Sequence, residues 1–169
     1  MANVKLGTKP VGSTVKIKVN GTAKDFIIVY QGNPDTSVYD DSCDGTWLLM
    51  KDIYTTFVFG YISSYGRNYN NYEKSPIHSY LNNTFFNLID GDIRNAIKQV
   101  KIPYRKGYGF QGSLATGTNG LSTKVFLLSG YEVGWTTRNS EYFPQDGVRL
   151  AYFFDGSGGN GKRIAYYNS

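Results

Sequence analysis

His78 is the only histidine of this 169-residue chain, and as a general base it would need a nucleophile within hydrogen-bond reach. No cysteine stands near it in sequence and no G-x-S-x-G element supplies an exposed serine, so a structural histidine on a helix is the expectation. Asp40, Ser42, Asp44 and Gly45 spell D-x-S-x-D-G, the opening of a calcium loop in which alternate oxygen ligands converge on one hard cation. The twelfth position is Lys51, which sets a cation where a bidentate glutamate should bind. That excludes an EF-hand; the choice left is a looser cation site or a loop whose aspartates cap its own turns. Gly156, Gly158 and Gly161 satisfy G-x-G-x-x-G behind Tyr152-Phe153-Phe154, but only eight residues follow Gly161. A phosphate cradle needs a helix whose N-terminus faces the anion, and a glycine-rich loop is the simpler reading. No metal and no cofactor is expected.

Arg94, Lys98, Lys101, Arg105 and Lys106 place five cations in thirteen residues, which could meet phosphate if they shared a face. A solvated helix face is the plainer reading, and nucleic acid is not an expected partner. The stretch best suited to contact holds Tyr61, Tyr65, Tyr69 and Tyr72 with Arg67, Asn68, Asn70 and Asn71. Tyrosine gives large stiff contact area and asparagine adaptable hydrogen bonds, the mixture that paratope-like surfaces use. Tyr61, Tyr65, Arg67, Asn68, Tyr69, Asn71 and Tyr72 are therefore the candidate contact residues. The same rings could instead pack onto the domain's own core, in which case the 142–154 stretch becomes the place to look.

Composition narrows the classes. A net charge of +5 with 18% charged residues leaves most polarity to uncharged side chains, unlike a typical nucleic-acid binder. Cys43 is the only cysteine, which rules out an internal disulfide framework and a multi-cysteine zinc site. No segment approaches the roughly 18 apolar residues of a membrane span, and the first ten residues lack the apolar centre of a signal peptide. A membrane partner and secretion by signal peptide are not expected. The 15 tyrosines, 10 phenylalanines and 20 glycines point to strands joined by many turns, and the length fits one domain with its own core.

The elements that must position these residues follow from pattern. Thr14 to Val19 alternates polar and apolar, Asn20-Gly21 supplies the positive-φ pair of a tight turn, and Lys24 to Tyr30 reads as the returning strand. Thr46 to Met50 is a short apolar run, as in a buried strand. Ser75-Pro76 caps and opens a helix on which Ile77, Leu81, Phe85 and Leu88 recur at helical spacing. Asp90 should cap a second short helix whose Ile93, Ile97 and Val100 share a face, before Lys101-Ile102-Pro103 runs extended. Residues 107–120 read as a glycine-rich loop, and Lys124 to Leu128 as a strand. Ser129-Gly130-Tyr131-Glu132 has capping-box spacing. The fold class expected is α+β: short antiparallel strands around one main amphipathic helix.

Several of these segments together resemble a family of Gram-positive bacterial and phage proteins, domain of unknown function 6273. They are Thr46-Trp47-Leu48-Leu49, S-P-I-H-S-Y-L-N-N-T-F from Ser75 to Phe85, I-R-N-A-I-K-Q-V-K-I from Ile93 to Ile102, and K-V-F-L-L-S-G-Y-E-V from Lys124 to Val133. The resemblance divides one domain into a hairpin and loop over 1–45 and a family-like region over 46–169. It also implies a continuation past Arg163-Ile164-Ala165-Tyr166-Tyr167-Asn168 into a W-W-L-R-S-P motif and a G-V-R-P strand, which this sequence does not contain. Those closing motifs are similar to the ending of C-type-lectin-like domains, so a lectin-like fold is implied by analogy. The function expected is non-catalytic: attachment or decoration on a phage or prophage particle, made without a signal peptide. Its partners would be neighbouring virion subunits, further copies of the chain, or a host-surface glycan or protein. A glycan-active enzyme and a purely structural capsid or tail component are the alternatives.

Overall fold

The computed structural model describes residues 5–60, 71–107, 112–135, 145–154 and 161–167. Strand β1 (Thr14–Val19) buries Ile17 and Val19 and leaves Thr14, Lys16 and Lys18 exposed, as a period of two requires. The chain reverses at Asn20 and Gly21, with φ of 49° and 74°; two consecutive positive values give the turn whose twist matches the flanking strands. Strand β2 (Thr22–Gln31) pairs β1 in the register Val19↔Thr22, and β3 (Thr46–Met50) pairs β2 on its other side, both antiparallel. A bulge between Ile28 and Tyr30 shifts the β2–β3 register.

This three-stranded sheet is covered on both faces, which is why Thr46–Met50 reads as an unbroken apolar run rather than an alternation. One face, with Ile17, Val19, Phe26, Leu48 and Met50, packs on Phe85, Ile89 and the side chains of the helical segment. The other, with Ile27, Val29, Trp47 and Leu49, packs on Tyr39, Cys43, Ile102, Leu150 and Phe153. Residues before and after position 45 thus share both cores.

The main helix starts as its sequence dictates. Ser75 Oγ accepts from the His78 amide at 3.2 Å and Pro76 takes the first turn of α1 (Pro76–Tyr80). The helix then widens into a π-helical stretch, Leu81–Phe85, before α2 (Phe86–Leu88) closes it. Asn82 Nδ2 donates to the His78 carbonyl at 3.0 Å, the group a regular helix would offer to the Asn82 amide.

Three expectations are corrected. Asp90 precedes α3 (Gly91–Ala96), but its side chain makes no capping bond; the Asp90 backbone instead donates to Lys18 O at 3.0 Å, tying the helix pair to β1. The helix ends at Ala96, with Ile97 already extended, so Val100 lies in β4 (Val100–Ile102) and not on a helical face with Ile93 and Ile97. Lys124 to Leu128 is not a strand. The ladder lies just before it, where β7 (Leu121–Thr123) pairs β4, because side chains take over the backbone groups that follow. Asn82 Oδ1 accepts from the Lys124 and Val125 amides at 2.9 and 3.2 Å, and the Tyr72 hydroxyl accepts from Leu127 N at 2.9 Å. Within the expected glycine-rich loop, β6 (Leu114–Ala115) pairs β5 (Tyr104–Arg105). The described elements form an α+β fold: short antiparallel strands and one main helical segment.

Candidate contact surface and buried carboxyl node

Of the candidate contact residues, Tyr61, Tyr65, Arg67, Asn68 and Tyr69 lie outside the described residues. Asn71 is buried, and its side chain accepts from Lys74 N at 3.4 Å, capping a short turn. The Tyr72 ring stacks on Phe59 and tilts against His78, and burial pushes its phenol up to about 12. Both side chains serve the local fold: Asn71 is closed to solvent, and the Tyr72 hydroxyl is used by Leu127.

The other sequence candidates also meet partners from their own chain. His78 Nε2 lies 3.3 Å from Thr123 Oγ1, a buried hydroxyl also within hydrogen-bond reach of Asn82 Oδ1 and the Val125 carbonyl, and burial lowers the imidazole pKa. Asp40 Oδ1 accepts from Ser42 N at 3.0 Å, and Ser42 Oγ accepts from Lys101 N at 3.0 Å, so this loop's oxygens hold its own turn and the β4 backbone. Lys98 binds the Asp44 carbonyl, Lys101 Nζ that of Thr118, Arg105 Nη1 that of Gly112 and Arg94 Nη1 that of Asn87. Arg94 lies on α3, Lys98 between α3 and β4, Lys101 on β4 and Arg105 on β5, so these cations are not aligned along one helix. Cys43 is buried, which pushes its thiol up to about 11. Gly156 and Gly158 lie outside the described residues.

Two features stand out that motif reading did not assemble. The first is a polar node inside the larger core. The capping box forms in both directions: Ser129 N donates to Glu132 Oε2 at 2.8 Å, and Glu132 N to Ser129 Oγ at 3.1 Å. Tyr39, 93 residues away, donates its hydroxyl to Glu132 Oε1 at 2.6 Å and accepts from Val148 N at 3.1 Å. Leu150 N closes onto the Glu132 carbonyl at 2.9 Å. Gly147 is required here, since a Cβ would stand 2.5 Å from the Tyr39 hydroxyl and 2.9 Å from Glu132 Cγ. Glu132 is 4% exposed. Burial raises its pKa to about 7, the nearby Asp146 adds to the rise, and the Tyr39 and Ser129 hydrogen bonds oppose it.

The second feature is an exposed apolar strap. Phe57, Val58 and Phe59 are 46%, 47% and 42% exposed, and Ile53 is 40% exposed. The strap lies along the helical segment: the Phe57 ring stacks on Tyr80 at 4.4 Å and Phe59 on Tyr72 at 6.2 Å. At its start Ile53 N donates to Tyr166 O at 2.9 Å, which sets the exposed Tyr166 and Tyr167 alongside. Three consecutive large apolar side chains, all more than two-fifths exposed, are unusual on a surface that carries no partner. The only sequence signal is the run Phe57-Val58-Phe59 itself, which reads equally well as core.

The profile of the family described as Domain of unknown function (DUF6273) matches residues 44–169. The chain belongs to this family. No curated protein and no solved structure matches it. The DUF6273 match contains the strap, the helical segment, the capping box and Val148, but not the β1–β2 hairpin or Tyr39. The hydroxyl that completes the Glu132 node therefore comes from outside the matched region.

Proposed function

We propose that this DUF6273 protein is a non-catalytic attachment or decoration module of a phage or prophage particle. It binds a neighbouring virion subunit or a further copy of itself through the strap at Ile53 and Phe57–Phe59, together with the tyrosine-rich residues 61–69 that follow. The observation that carries this reading is the strap. Apolar area left in water costs about 25 cal/mol per Å² relative to burial, and aromatic side chains such as phenylalanine are enriched in the cores of protein contacts. A host-surface glycan or protein is the second class of ligand, and the lectin-like analogy belongs to that version of the proposal.

An enzymatic reading is less well supported. Glycoside hydrolysis needs two carboxyls open to the sugar on either side of the scissile bond, whereas Glu132 is closed inside the core. His78 and Cys43 each face a partner from their own chain.

Val58→Asp tests the contact without touching the core, because Val58 is half exposed. Sedimentation velocity of the purified chain, alone and mixed with purified particles induced from the lysogen that carries the gene, reads the outcome. Association with itself or with particles, lost in the variant at an unchanged thermal midpoint, is expected. Unaltered association in the variant, or turnover of cell-wall glycan by the wild type, would contradict the proposal.

A further inference from the structure

Glu132 joins three separated parts of the chain. Its carboxyl oxygens take the Tyr39 hydroxyl and the Ser129 amide, its carbonyl takes the Leu150 amide, and through Tyr39 it reaches Val148. All of this lies inside the larger core, between Tyr39, Leu150 and their apolar neighbours. A second carboxyl, Asp146, lies near enough for its charge to raise the cost of ionising Glu132. Among the described residues, Asp146 Oδ1 is buried without a hydrogen-bond partner, and burial raises the Asp146 pKa against the hydrogen bonds its carboxyl takes from Ser129 and its own backbone. Among the described residues, the remaining titratable groups around the node are Tyr39, Cys43 and Tyr72, all neutral at ordinary pH, with Arg105 acting on Asp146. Arg149 and Arg163 lie against Gly134, two residues beyond Glu132.

We propose that Glu132 and Asp146 form a proton-operated latch, which holds the Gly147–Leu150 segment against Tyr39 while Glu132 is protonated and loosens it when both carboxyls ionise. Burial of Glu132 and the neighbouring charge set the direction, against the Tyr39 and Ser129 hydrogen bonds, which favour the ionised form. Two carboxylates within one enclosed node repel each other, and no cation reaches Glu132 directly through any described hydrogen bond or ion pair. The proton leaves for solvent, so the step needs no other reactant. Burial raises the folded pKa of Glu132 from 4.5 to about 7. A carboxyl whose folded pKa lies above its unfolded value contributes stability that is fully present below the unfolded value and is lost as pH rises through the folded one. The working window is therefore pH 4.5 to somewhat above 7. His78 acts oppositely in part of that window, because its lowered pKa favours the folded state as pH rises. The readout must therefore be local and compared with a Glu132 variant.

Amide hydrogen exchange at Val148 and Leu150, corrected for intrinsic rates, supplies that readout. Between pH 6 and pH 8.5 their protection should fall by about tenfold in the wild type. In Glu132→Gln, which keeps the shape and stays neutral, that fall should be absent. Asp146→Asn removes the neighbouring charge, so carboxyl-carbon NMR should find Glu132 titrating at lower pH than in the wild type. Wild-type protection that stays level, or a fall of the same size in Glu132→Gln, would overturn the latch. If Glu132→Gln does not fold, the wild-type titration decides: a Glu132 midpoint below about 5, near its ordinary value, also overturns it.

Discussion

Tyr39→Phe removes one oxygen atom and keeps the ring, so it isolates what the hydroxyl does in the buried node. That oxygen accepts from Val148 N at 3.1 Å and donates to Glu132 Oε1 at 2.6 Å. The ring's own packing, including its edge contact with Trp47 at 5.6 Å, is retained. Deletion leaves the Val148 amide without an acceptor and Glu132 Oε1 without its donor, each worth roughly 1–3 kcal/mol when buried and unsatisfied. Relief from burying the phenol hydroxyl offsets part of this, which places the net loss at about 2–4 kcal/mol. With a urea slope of roughly 1–3 kcal/mol per M, the midpoint should fall by about 1–2 M at unchanged slope. Equilibrium urea unfolding at pH 6, followed by tyrosine and tryptophan fluorescence, measures it. A midpoint within about 0.2 M of wild type would refute the claim that this hydroxyl ties the two segments together.

Gly21→Val places a β-branched residue at φ 74°, where side chains are strained, and should cost about 1 kcal/mol or more in denaturant unfolding; an unchanged midpoint would mean that the turn does not hold this conformation in solution. Asn82→Ala should be among the more damaging polar substitutions, at about 2–4 kcal/mol, because one amide serves His78 O, Val125 O and the Lys124 and Val125 amides; a loss below about 0.5 kcal/mol would show that water replaces it. Ser75→Ala should cost about 1 kcal/mol through loss of the helix cap, read as a lower thermal midpoint.

What could be read from the sequence was local. Asn20-Gly21, Ser75-Pro76 and Ser129 to Glu132 each carry their geometry within four residues, and the hairpin, the helix start and the capping box follow from them. Lys124 to Leu128 misleads because its apolar spacing is a strand's, while Asn82 and Tyr72, more than 40 residues away, take the hydrogen bonds a strand would give its neighbour. Val100 misleads because the helical period continues in the sequence past Ala96, while pairing with Thr123 draws the chain into a strand. Glu132 was visible as a cap, but not as the partner of Tyr39, since nothing local in Asp35 to Asp40 marks a tyrosine that will be buried against a carboxyl. The strap was invisible for a different reason: Phe57-Val58-Phe59 has the composition of a core strand, and only packing tells which side faces water.

The most direct test of the contact reading is quantitative mass spectrometry of whatever phage particles are recovered, on a gradient, after prophage induction of the cells that carry this gene, in wild-type and Val58→Asp forms. The account predicts wild-type chain present at a fixed ratio to the other virion proteins and the variant depleted, although both are made at equal levels in the cell. Absence of the wild-type chain from particles, or equal incorporation of Val58→Asp, would contradict it.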